Sequence, residues 1–137
     1  ILDTYLRELR DRICGIDLNG ADSRERLRRI VAEVLRAYQG ADHEHQVQIS
    51  AMSALPEDQQ KQMRAYQRDM VRFLSDAVRD TAPEIFDGHE DKLRSATMSV
   101  FGMLNWYYMW NTGAGSQARE DYAVLVTNLT LTGVKGL

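Results

Sequence analysis

Residues 95–118 read SATMSVFGMLNWYYMWNTGAGSQA, and no Asp, Glu, Lys or Arg occurs among them. The stretch holds both tryptophans, two of the six tyrosines, one of the three phenylalanines and three of the six methionines, Met98, Met103 and Met109. Charged residues make up 27% of the chain, so this gap stands out. Wound as a helix, it has Phe101, Leu104, Asn105 and Tyr108 on one face. Gly102, Trp106 and Met109 share another, and Met103, Tyr107 and Trp110 a third. A helix apolar all round must be covered on all sides. The strongly apolar part runs only from Met98 to Trp110, well short of the ~20 residues a membrane span needs. One side can meet the chain's own core; the other needs a partner. A second uncharged run, 123–134, follows. Aromatic and Met enrichment suits an interface core, which predicts a homodimer built from two helices of each subunit. The alternative is the central helix of a monomer core.

Working outward, Asn111-Thr112-Gly113-Ala114-Gly115 is a stop. Ser116 can cap a last helix carrying Tyr122, Leu125, Val126, Leu129 and Val134. Upstream, Leu2, Tyr5, Leu6, Leu9 and Ile13 recur at helical spacing. A second helix opens at Asp22, with Glu25 placed as in a capping box. Leu27, Ile30, Val31, Val34, Leu35 and Tyr38 stripe it, and Gly40 sits where a C-terminal cap belongs. A third, less amphipathic helix spans 42–55. Pro56 fits the first turn of a long fourth helix, with Glu57 and Asp58 at its positive dipole end. It stops before Pro83; residues 83–88 read as a loop, and the fifth helix as 91–111. The class is all-α, a six-helix bundle in one domain of 137 residues.

The net charge of −3 argues against a nucleic-acid binder. One cysteine, Cys14, excludes an internal disulfide and a Cys-rich zinc site. The start of the chain has no signal peptide pattern and looks cut from a longer protein. No Gly-rich phosphate loop, nucleophile elbow or Glu-x-x-His pair occurs, so no enzyme is read. His43 and His45 cannot chelate together, since i and i+2 diverge by about 200° on a helix. Asp42 and His45 supply two ligands at most, and the cluster reads as a helix start; no metal or other cofactor is expected.

The run Phe101-Gly102-Met103-Leu104-Asn105-Trp106, with Trp110, the Gly113/Gly115 turn and a last helix ending Leu129-x-x-x-Gly133, resembles the C-terminal regulatory domain of TetR-family transcriptional repressors. Residues 45–55, Pro56 and the long helix over 59–79 fit the same pattern. The likeness is greatest to the branch that senses acyl-CoA thioesters from aromatic, fatty-acid or steroid breakdown, and it covers essentially the whole chain. It implies a bacterial, cytoplasmic effector-binding and dimerisation domain over 1–137. Residues 1–15 match the family's connecting helix. Residues 91–136 match the two helices that form a four-helix dimer interface, with Gly102, Met103, Trp106, Trp110, Tyr122, Val126 and Leu129 as contacts. The family's helix-turn-helix is absent, so DNA is expected to be bound only through that missing N-terminal domain.

The resemblance also implies a pocket inside the helical barrel, taking a hydrophobic, aromatic or acyl-CoA effector that releases DNA. Periodicity supplies the candidate walls: Ile49, Met52, Met63, Tyr66, Met70 and Phe73, then Met98, Phe101, Asn105 and Tyr108. Flexible Met and aromatic side chains suit such a ligand. Asn105, an amide on an apolar helix, needs partners if buried. It either meets a ligand carbonyl or makes a structural bond within the bundle or across the dimer. Arg64, Arg68 and Arg72 lie one turn apart, with Lys61 and Arg79 nearby. They are candidate phosphate contacts for a CoA head group, or else a solvated face balanced by Asp69, Asp76 and Asp80. Two further readings are a ligand-free helical oligomerisation module and a small helical-bundle enzyme.

Overall fold

The computed structural model describes residues 2–137, apart from the side chains of His45, Gln48 and Ile49. The expectations placed on Ile49 as a pocket wall and on His45 as a metal ligand lie outside the described residues. The elements are α1 (Leu2–Cys14), α2 (Ser23–Tyr38), α3 (Asp42–Ala51), α4 (Glu57–Thr81), α5 (Pro83–Phe86), α6 (Glu90–Trp110) and α7 (Ser116–Thr132). The all-α expectation holds, and no strand forms among the described residues. Among the described residues, no helix is long and apolar enough to cross a membrane.

One start signal acts as the sequence implies, and two do not. The Asp22 carboxylate accepts from the Glu25 backbone N–H at 2.8 Å, capping α2. The Glu25 side chain does not close the box; it turns along the helix to Arg28 at 2.6 Å. An Asp22→Ala variant is expected to lose about 1 kcal/mol of unfolding free energy in urea denaturation. An unchanged midpoint would mean that water serves the helix end equally well. Ser116 does not cap α7: Gly115 holds that position, and Ser116 Oγ bonds Gln39 Oε1 at 3.1 Å. Ser116 stands one residue inside the helix, too late for its oxygen to meet the free N–H groups. At the far ends, Gly40 and Gly133 take positive φ of 76° and 72°, the left-handed turn that ends α2 and α7.

Three boundaries differ from the periodicity reading. α3 stops at Ala51 and tightens into a 3-10 turn over Met52–Ala54. It has no apolar stripe to hold its last turn on the core. The expected loop after Pro83 contains a full helical turn, α5, because proline presets φ at a first helical position. That turn raises the helix count from six to seven. Pro56 precedes α4 rather than lying in it.

α2 is the hub, packing on α7, α4, α1 and α6. Its Leu27, Ile30, Val31, Val34 and Leu35 are wholly buried. α4 lies between α1 and α6, and Met63, Tyr66, Met70, Leu74 and Val78 form its buried face. α6 sends Leu93, Val100, Phe101, Leu104 and Tyr107 inward. α6 and α7 meet through rings: Tyr107 stacks on Tyr122 at 4.3 Å, and Trp110 stands edge-on to Tyr122 at 5.5 Å.

Candidate functional site

α2, α4 and α6 converge on an apolar recess of about 220 Å³. Tyr38 comes from the end of α2, and Gln67, Met70 and Val71 from α4. Met98, Phe101 and Asn105 come from consecutive turns of α6. Met70, Met98, Phe101 and Asn105 are thus brought together as periodicity suggested. The Tyr38 hydroxyl donates to Asn105 Oδ1 at 2.8 Å, so the structural bond foreseen as one alternative for Asn105 forms. Burial, with a smaller push from Tyr5, raises the Tyr38 phenol far above its ordinary range, so it remains a donor at neutral pH. In the sequence, Tyr38 is the last rung of the α2 stripe. Its signal was the polar tip on a buried ring, which needs a partner.

Five expected wall residues lie elsewhere. Tyr66 donates to Asp3 Oδ1 at 3.2 Å under the Arg10 guanidinium, so it fastens α1 to α4. Met63 borders a separate, open cleft between the starts of α1 and α4. Met52 and Phe73 are half-buried against the core, and Tyr108 is half-buried on α6 outside the recess. Inward-facing periodicity identifies core; it does not say which core residues border a gap.

Beside the recess, sharing Val71 with it, runs an open groove of about 340 Å³ between α4 and the first turns of α6. Arg68, Arg72 and Ser75 line its α4 side. Arg94 and Thr97 line the α6 side, with Glu90 and Asp91 at the helix start. Arg64, the third member of the expected strip, is outside it and donates to Gln60 Oε1 at 3.2 Å. The balancing carboxylates are engaged elsewhere: Asp69 pairs with Arg10 at 2.8 Å, and Asp80 with Arg26 at 3.6 Å. Arg94 and Thr97 had no sequence signal, because only the packing of α6 on α4 sets them opposite Arg68 and Arg72.

The other side of α6 is uncovered. Gly102, Trp106 and Met109 form an exposed, uncharged strip, which Met98 borders from the rim of the recess, and Trp106 and Trp110 are each 59% exposed. On α7, Val124 and Leu125 face outward. Of the expected interface set, Gly102, Trp106 and Trp110 are exposed, and Met103, Tyr122 and Leu129 are half-buried. Val126 is corrected: it is 0% exposed inside its own subunit, because α7 packs that face on α2. Cys14 is half-buried beside Asp69, and burial pushes its thiol pKa up, away from reactivity. Among the described residues, no three acidic, His or Cys side chains gather as a metal site.

Residues 20–134 match the family of tetracyclin repressor-like C-terminal domains. The chain is also similar to the crystal structure of a TetR-family transcriptional regulator from Bordetella parapertussis 12822. That match has 29% identity and a TM-score of 0.89, over 99% of this chain and 70% of the other. No curated protein matches.

Proposed function

Since the chain belongs to the tetracyclin repressor-like C-terminal domain family, a family of transcriptional regulators and not of enzymes, we propose that it is the effector-sensing and dimerisation half of a TetR-type repressor. The observation that carries this is the recess between α2, α4 and α6, walled by Met70, Met98 and Phe101. A hydrophobic, aromatic or acyl-CoA effector entering there would press on α4. α1 packs along α4, so the shift would pass to residues 1–15 as the connecting helix. Beyond it, the family's helix-turn-helix would read operator DNA in the bacterial cytoplasm. The coupling requires only that the effector bind one arrangement of α1 and α4 more tightly than the other.

Residues 91–136 would join two subunits. The uncharged strip on α6 and the outward Val124 and Leu125 on α7 support that role. Exposed apolar surface of this kind marks interaction sites when it is contiguous.

One observation favours the ligand-free oligomerisation module instead. The recess, at about 220 Å³, is smaller than the ~300–1,000 Å³ of common ligand pockets. Thermal-shift screening against acyl-CoAs and aromatic acids separates the two. A true effector at 100 times its Kd adds about 2.7 kcal/mol of stability, and a Phe101→Ala variant is expected to lose most of that response. No shift across the panel overturns the sensing role.

A further inference from the structure

We propose that the groove lined by Arg68, Arg72, Arg94 and Thr97 is the head-group site of the effector, and that the effector is a small carboxylate with an aryl or short acyl body. The inference rests on the recess being the effector cavity, and it names the class of ligand that fits recess and groove together.

Thr97 is the first reason. Thr127, Thr130 and Thr132 on α7 and Ser99 on α6 each donate their hydroxyl to the carbonyl four residues back. Thr97 does not: it is 1% exposed, and its Oγ1 has no partner. A buried hydroxyl left without a bond is an exception among buried polar groups, and this one belongs to a residue that lines the groove. The three guanidiniums are the second reason. Arg68 and Arg72 stand one turn apart on α4 and share the groove with Arg94. None of the three takes part in an ion pair among the described residues, although most arginines of this chain do. Planar, forked donors suit a carboxylate or a phosphate.

Two further observations narrow the class. Glu90 and Asp91 stand in the same groove, so three cations face two anions. That balance suits a single negative charge better than the several charges of a CoA head group. The recess is apolar and small, room for a ring or a short chain. Val71 lines both spaces, so they adjoin, and the proposed effector lies across them from Phe101 to Arg94.

The test is calorimetric titration with four probes: hexanoate, phenylacetate, the uncharged hexanamide and hexanoyl-CoA. A carboxylate is expected to bind at least about tenfold more tightly than hexanamide, the scale of one charge-assisted hydrogen bond. Its affinity should fall between low and high salt while that of hexanamide does not. Arg94→Gln should weaken carboxylate binding about tenfold and change hexanamide binding far less, while Thr97→Val should weaken both about tenfold. Arg94 is exposed, so its variant tests the site even if Thr97→Val disturbs the core. Equal binding of hexanoate and hexanamide, or no effect of Arg94→Gln, overturns the head-group site and leaves the cavity standing. Tighter binding of hexanoyl-CoA than of either carboxylate overturns the choice of carboxylate. Binding of none of the four overturns the head-group site, and absence of any response in the wider thermal-shift panel removes the cavity with it.

Discussion

A Trp106→Glu variant is expected to run as a monomer at micromolar concentration, with light scattering giving a mass near 15.7 kDa where the parent chain gives twice that. Trp106 is 59% exposed in the single chain, on the strip with Gly102 and Met109. Little of its indole contributes to the core of its own subunit. Truncating a central Trp at an interface costs about 2 kcal/mol or more. A carboxylate adds the expense of burying a charge with no partner across a twofold contact. Association should weaken by well over the thirtyfold that 2 kcal/mol represents. The melting profile of the single subunit should survive, because the core contacts of Phe101, Leu104 and Tyr107 lie on the opposite side of α6. A dimeric variant, or a parent chain that is itself monomeric, would refute the interface assignment.

The second large effect is expected at Arg119. This residue is 3% exposed, on the inner side of α7. Its Nε donates to the Ala114 carbonyl at 2.9 Å, its Nη1 to the Leu35 carbonyl at 3.0 Å, and its guanidinium lies 5.5 Å from the centre of the Tyr107 ring. Asp42 Oδ1 is 3.9 Å from Nη2, near enough for attraction and too far for a hydrogen bond. One side chain therefore holds together the end of α2, the α6–α7 turn and the start of α3. Arg119→Ala should cost about 3–5 kcal/mol in urea unfolding, since it leaves two carbonyls and a carboxylate facing a void. Arg119→Lys should recover only a small part, because one ammonium cannot reproduce the fork that reaches both carbonyls. A loss below about 1 kcal/mol for the alanine variant would show that the turn is held by other contacts.

What was legible from sequence follows a physical division. Gly40, Asp22 and Pro83 bound helices through local backbone chemistry, so residue type alone places them. The uncharged stretch after Arg94 announces a helix, but only one of its sides is covered by the chain's own core. Periodicity fails where every side is apolar: nothing in Ala123-Val124-Leu125-Val126 says that Val126 goes in and its two predecessors go out. The contact with α2 decides that. Arg119 was invisible for the opposite reason. Arginine is almost always a surface residue, and only the meeting of two distant carbonyls makes its burial tolerable. The recess was legible in the residues of α6 and at Met70. Tyr38, Arg94 and Thr97 join the candidate site through tertiary packing, which no spacing rule encodes.

Gly102 is a position where folding and the proposed pairing ask for different residues. It lies in the middle of α6, and a Cβ built there would meet nothing within 4 Å. A glycine inside a helix costs roughly 0.5–1 kcal/mol relative to alanine, and the lone chain gets no packing in return. A stability-guided redesign of the isolated chain would fill this position early and improve its score. The same change would thicken the place where a second α6 could come closest. Under the proposed pairing, a library selected for thermostability alone would therefore drift toward better-folded subunits that pair less well.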